Sequence, residues 1–239
     1  MKIESQTESR TCVQCQKQYE HERIMLNDRD LSANVMTCDS CSDAAEQAQE
    51  IFKRETRAKA QWERVVPAEY RKTDVEYPDY PKPIHAACLA WIKGDGLLDQ
   101  EHLLFLGLLG ESGICKTRIA SQMVKRYIWN GEQVLWVNSS QFQWACQNQF
   151  NDHEKVEATK WLKQCRYASV LVLDDIGSLK STEIVSDNLY NLLEYRTTHG
   201  LPMIWTSNES LDEMLPKLGE KPRKRSISRL AGFSNMINL

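Results

Sequence analysis

Gly110-Glu111-Ser112-Gly113-Ile114-Cys115-Lys116-Thr117 follows directly on the apolar run Leu103–Leu109. An apolar strand, a glycine-rich turn and a Lys-Thr pair opening a helix form the layout of a phosphate-binding loop. In such a loop backbone N–H groups cradle phosphate oxygens. The Lys116 ammonium reaches the outer phosphates and the Thr117 hydroxyl takes a position on Mg2+. One residue departs from the pattern: the place before the lysine, ordinarily glycine, holds Cys115. Glycine there lets the backbone approach the phosphate and frees φ, whereas a cysteine Cβ is unfavourable if φ is positive.

A second motif supports the first. Val170-Leu171-Val172-Leu173-Asp174-Asp175-Ile176-Gly177 reads as a buried strand whose carboxyl end carries two acids into the crevice beside the loop. Ligands of open α/β sheets bind at that edge. Asp174 can hold Mg2+, directly or through water, and Asp175 can orient and polarise an attacking water. Taken alone, Asp-Asp-Ile-Gly could be a polar turn capping a strand; the phosphate loop makes the site reading the better one. A third apolar strand, Met203-Ile204-Trp205-Thr206-Ser207-Asn208, also ends in a polar tip. Asn208 can reach the γ-phosphate or the water, or it can cap the helix that begins near Leu211.

Outward from these motifs, strands and helices alternate. Leu103–Leu109, Val134–Asn138, Ser169–Leu173 and Met203–Ser207 read as buried strands, and Asn235–Leu239 as a weaker fifth. Lys116–Trp129, Gln141–Phe150, Glu154–Tyr167 and Glu183–His199 read as helices between them. Near-continuous apolar strands alternating with helices imply an α/β fold, a parallel sheet covered on both faces. Trp136 and Trp205 sit on strands as core residues, and Cys88, Cys146 and Cys165 read as small buried apolar groups.

The first 41 residues are different. Cys12-x2-Cys15 and Cys38-x2-Cys41 stand 22 residues apart, close to the spacing of a four-thiolate zinc site. Each CxxC turn offers two sulfurs to one tetrahedral ion. About forty residues bury too little apolar surface to fold unaided, and Zn2+ supplies the difference. His21 reads as a surface residue, since four cysteines already complete the shell. Asp43–Arg64 lacks Gly and Pro and reads as a solvated helix with Ser42 or Asp43 as N-cap, while Val65–Pro83 reads as an extended connector. The chain therefore divides into a zinc module (1–45), a helical linker (46–64) and a nucleotide-binding domain (65–239).

Composition excludes other classes. A formal net charge of −3 argues against a protein that coats nucleic acid by bulk charge. A hydrophobic content of 41% with 26% charged residues is ordinary for a globular chain. The polar Met1–Arg10 segment is no signal peptide, and the longest apolar run is far shorter than the ~20 residues that span a bilayer. A cytoplasmic protein without membrane contact is expected, its eight cysteines being ligands or buried thiols.

The order of these motifs, with Ser226-Ile227-Ser228-Arg229-Leu230 near the C-terminus, resembles the AAA+ ATPases of the DnaC-like helicase-loader and IstB-like group. Val66-Pro67-Ala68-Glu69-Tyr70-Arg71 also looks like that group's Pro-x-x-Tyr/Phe-Arg segment beside the adenine. The resemblance implies a five-stranded AAA+ sheet without a separate lid domain and ATP bound at a subunit interface of a homo-oligomer. By position, Gly110 to Thr117 and Asp174 hold ATP and Mg2+, while Asp175, Asn208 and the arginine finger Arg229 serve hydrolysis. The basic run Lys221, Arg223, Lys224 and Arg225 leaves Arg225 as an alternative finger, or as a contact to DNA phosphates. The implied function is ATP-switched assembly on a replicative helicase and single-stranded DNA, with the zinc module gripping the helicase. The alternative is an IstB-like helper ATPase acting on duplex DNA with a transposase. Slow hydrolysis is expected because of Cys115, and a thiol at a helix N-terminus also admits redox sensitivity.

Overall fold

The computed structural model describes residues 3–26, 29–30, 35–73, 76–93, 104–180, 182–217 and 222–239. Contacts divide the chain into two units, Met1–Arg57 and Ala58–Leu239. In the first, β1 (Ile3–Thr11) and β2 (Gln18–Leu26) pair antiparallel, and β2 pairs with the short β3 (Arg29–Asp30). The turn between β1 and β2 is closed by Cys12 N–H to Lys17 O and Gln16 N–H to Cys12 O, both 2.9 Å, with Gln16 left-handed at φ 60°. Helix α1 (Asp39–Val65) follows. It starts four residues before the expected first residue, Asp43, because Cys38 O accepts from the N–H groups of Cys41 (3.0 Å) and Ser42 (2.9 Å). The second CxxC pair thus opens a helix. His21 is buried, contrary to the surface reading, with its ring edge-on to Tyr19.

In the second unit Ala58, Trp62 and Val66 are buried, and Trp62 meets Trp129 edge-on. The expected extended connector instead holds a 3-10 turn at Ala68–Tyr70, and α2 (Lys82–Lys93) begins inside its last proline pair. Pro83 is tolerated there because the first helical turn needs no N–H partner. The remaining elements are β4 (Phe105–Leu109), α3 (Lys116–Trp129), β5 (Val134–Asn138), α4 (Ser139–Asn148), α5 (Lys155–Tyr167), β6 (Val170–Asp174), α6 (Glu183–Thr198), β7 (Met203–Ser207), α7 (Leu211–Lys217), α8 (Pro222–Phe233) and β8 (Ser234–Asn238). Leu103 and Lys221 lie outside the described residues, as do the side chains of Arg223 and Lys224.

Among the described residues the sheet has five strands in the order β5-β6-β7-β4-β8, every pair parallel. Side chains of one strand alternate between two apolar clusters. Leu171 and Leu173 enter the cluster that contains Phe142, Leu189 and Leu193; Val170 and Val172 enter the one that contains Ile119, Met123 and Val124. Period-two alternation with both faces covered is why these strands read as unbroken apolar runs. Trp136, Trp205, Cys88, Cys146 and Cys165 are all buried. Among the described residues α8 leads straight into β8 without a helical lid, and no helix is long and apolar enough to cross a membrane.

Candidate functional site

At the carboxyl edge of the sheet the strand tips converge on a cleft of about 450 Å³. β4 delivers the phosphate loop, whose first glycine has φ 137°. A Cβ at Gly110 would collide with Ile114 Cδ1 and lie 2.7 Å from Leu239 O, so only glycine fits where the chain leaves the sheet. Cys115 is left-handed, with φ 68° and ψ 14°, and caps α3 without a side-chain bond. The departure from glycine therefore falls on the backbone conformation that glycine serves best. Lys116 is 6% exposed and donates from Nζ to Gly110 O (2.7 Å) and Glu111 O (2.6 Å). Burial pulls its pKa below the usual lysine range, against the pull of Asp175 and Asp174.

β6 delivers the acids. Asp174 Oδ1 accepts from Thr206 Oγ1 at 2.7 Å and from Thr117 Oγ1 at 3.1 Å. Burial pushes its carboxyl pKa up, more than these two hydrogen bonds pull it down. Asp175 is left-handed at φ 59°. Its N–H donates to Thr206 Oγ1 (2.8 Å), and its carboxylate accepts from Ser178 Oγ (2.5 Å) and Asn208 Nδ2 (3.3 Å). A non-glycine residue held in that region stores strain of the kind found at functional sites. The oxygens of Thr117 and Asp174 suit a hard cation such as Mg2+, and the loop N–H groups at the start of α3 suit phosphate.

The structure brings Ser112, Gly113, Cys115, Lys116, Thr117, Asp174, Asp175 and Asn208 to this one cleft. Gly110, Glu111 and Ile114 are not among its lining residues: the first two accept from Lys116 Nζ through their carbonyls, and Ile114 Cδ1 lies beside Gly110. Arg229 lies elsewhere: it is ion-paired with Glu194 and its guanidinium sits 5.5 Å from the Phe233 ring centroid, while Ile227 and Leu230 beside it are buried. Sequence reasoning missed three contributions. Asn138, Ser139 and Ser140 line the cleft from the β5 tip, where the capping box Asn138–Gln141 starts α4. Thr206 ties both acids, and Arg118 enters beside Tyr70 and Tyr77. The polar tip of β5 was the available signal for the first; Arg118 and Tyr77 carried none.

The second candidate site is the cysteine cluster. The four sulfurs of Cys12, Cys15, Cys38 and Cys41 lie within 4.8 Å of one another, and those of Cys15 and Cys38 are 3.8 Å apart. Sulfurs tetrahedral about one ion at about 2.3 Å stand about 3.8 Å apart, so the donor set fits Zn2+. Val13 N–H donates to Met36 O at 3.0 Å, joining the two CxxC turns. Backbone N–H groups of Cys15 and Cys38 pull the Cys12 thiol down to about 6, while hydrogen bonding within the cluster pushes Cys41 up to about 12.

The parallel sheet with its phosphate loop, paired acids and polar third strand defines a P-loop nucleotide-binding domain of the AAA+ class. The family described as IstB-like ATP binding protein matches residues 46–227, and the chain belongs to it. It is similar to the chromosomal replication initiator protein DnaA of Mesoplasma florum, 25% identical over 134 residues. That match covers 56% of this chain and 29% of the relative, so the chain spans less than a third of its length. Two solved structures share the fold. A Streptococcus pyogenes serotype M3 protein described as a primosome component is 24% identical, with a TM-score of 0.55 over 75% of this chain and 94% of that one. A DnaC helicase loader is 18% identical, with a TM-score of 0.53 over 71% and 95%.

Proposed function

We propose that the protein is an ATP-binding DNA-replication accessory protein of the helicase-loader kind. The observation that carries this is the convergence of Lys116, Thr117, Asp174, Asp175 and Asn208 on one cleft, beneath a family match to ATP-binding proteins and a fold shared with a helicase loader. In this reading the loop N–H groups and Lys116 bind the triphosphate. Thr117 and Asp174 would hold Mg2+, which would supply charge neutralisation of the phosphoryl group. Asp175, steadied by Ser178 and Asn208, takes the proton of the attacking water. Arg229 reaches a neighbouring subunit's nucleotide once Glu194 releases it. Hydrolysis is slow, because Cys115 strains the loop.

The domain limits follow function: residues 1–45 bind Zn2+ and dock on the replicative helicase, 46–64 link, and 65–239 bind ATP and assemble on single-stranded DNA in the cytoplasm. The test is binding of ATP and Mg2+ by the wild type and by Lys116→Ala, followed by capture of the replicative helicase. The wild type binds ATP, the variant does not, and capture needs residues 1–45. The family match supports a second reading, an ATPase acting on duplex DNA with a transposase. ATP-dependent filaments on duplex DNA, with no helicase captured, would replace the first reading by the second.

A further inference from the structure

Two chemically different groups of side chains line the cleft. One comprises the charged Lys116 and Asp174 with the Thr117 hydroxyl; the other comprises Tyr70, Tyr77 and Arg118, which present flat faces. Arg118 follows Thr117 by one residue, so its side chain leaves α3 about 100° around the helix from the threonine. Its guanidinium carbon lies 3.8 Å from the Tyr77 ring centroid and 5.4 Å from that of Tyr70. Nη1 donates to Thr73 Oγ1 at 2.9 Å and to Glu69 O at 3.3 Å, which fixes the guanidinium plane. Thr73 is itself buried, and its carbonyl accepts from Gln122 Nε2 at 2.6 Å. Tyr70 stacks on Trp136, centroids 6.4 Å apart and planes 23° from parallel. An arginine that only solvated a helix would not be held by two oxygens and two rings at once, because long side chains lose rotamer freedom when so fixed.

We infer that Arg118 and Tyr77 form the base-recognition platform of the cleft. The base of a bound nucleoside triphosphate stacks on this pair while its triphosphate extends to Lys116 and Thr117, and Arg118 positions the base without touching the reacting phosphate. This rests on the nucleotide-binding reading above. A guanidinium plane against a phenol ring recognises area more than hydrogen-bond pattern, so the platform favours a purine over a pyrimidine.

The experiment is calorimetric titration of the full chain with the Mg2+ complexes of ATP, CTP and inorganic tripolyphosphate. The wild type binds ATP more tightly than CTP, and CTP more tightly than tripolyphosphate. Arg118→Ala weakens ATP roughly tenfold and tripolyphosphate less than about twofold, as removal of one stacking partner requires. Arg118→Lys keeps the charge but not the plane and behaves like the alanine variant. Tyr77→Ala, which leaves the Arg118–Thr73 bond in place, gives the same base-dependent loss, and Tyr77→Phe gives none. Equal weakening of ATP and tripolyphosphate by Arg118→Ala would show a charge acting on phosphate and overturn the inference. Full ATP affinity in Arg118→Lys would overturn it too. A wild type that binds ATP and tripolyphosphate alike removes the platform but leaves the phosphate site standing. One that binds neither removes the nucleotide reading and this inference together.

Discussion

The indole of Trp205 lies over Gly107 and reaches across the neighbouring strand: its Nε1 donates to Ser234 Oγ at 2.8 Å. Trp205 belongs to β7 and Ser234 to β8, with β4 between them. A Cβ on Gly107 would collide with the indole, so this glycine is the gap through which the edge strand β8 is tied to the middle strand β7. Gly107→Ala therefore displaces a fully buried tryptophan and lowers stability by about 2 kcal/mol or more, as overpacking does. Ser234→Ala leaves the buried indole N–H unpaired and lowers it by about 1–2 kcal/mol. Urea midpoints of the two variants measure both, and a neutral Gly107→Ala would show that the indole has another rotamer available.

Cys115 occupies a left-handed conformation in the loop. Cys115→Gly removes strain of about 1 kcal/mol, partly offset by the greater freedom of glycine in the unfolded chain. Its ATP affinity equals or exceeds the wild type's. Cys115→Val, branched at Cβ, loses both stability and ATP affinity. Melting curves with and without ATP separate the effects, and a valine variant that binds ATP normally contradicts the strain account.

The burial of Asp174 carries a cost. Its folded pKa is raised above its unfolded value, so its carboxyl favours folding only in acid and opposes it once the pH climbs past the folded value. Asp174→Asn keeps an oxygen for Thr117 and Thr206 and drops the buried charge. The variant should melt a few degrees above the wild type at neutral pH, with the difference closing as the pH falls through the carboxylate range. It should also lose the stabilisation that ATP and Mg2+ give the wild type, a trade between stability and function.

Arg196 is fully buried, and among the described residues no carboxylate forms a salt bridge with it. Its Nη1 donates to Cys165 O and Ala168 O at 3.0 Å, and its Nη2 donates to Pro202 O at 2.5 Å. It thereby gathers the end of α5 and the approaches to β6 and β7, satisfying carbonyls that would otherwise be buried and unpaired. Arg196→Met costs about 3 kcal/mol or more. Arg196→Lys does not restore it, because one ammonium cannot span both groups of carbonyls. Chemical denaturation tests this; full rescue by lysine would show that charge alone matters.

One Zn2+ per chain is expected on Cys12, Cys15, Cys38 and Cys41. Its removal by chelator, or Cys38→Ser, should unfold Met1–Arg57 while leaving the melting of Ala58–Leu239 in place. Ligating thiols must lose their protons, so zinc affinity falls as the pH drops. Circular dichroism with metal analysis follows both changes, and an unchanged spectrum after complete metal loss would refute a structural role.

Much of this protein is legible locally. The phosphate loop, the Asp174–Asp175 strand end and the cysteine pairs each depend on residues a few places apart, so backbone geometry and side-chain chemistry announce them without the rest of the chain. The apolar runs announced a parallel sheet because both faces are covered. Tertiary structure alone decided what depends on distant residues. It ordered the strands β5-β6-β7-β4-β8, buried His21, set Thr206 between the two acids and drew Arg118 onto Tyr77. None of these has a sequence period, because each depends on how residues are brought together in the folded chain and not on the spacing of residues along it.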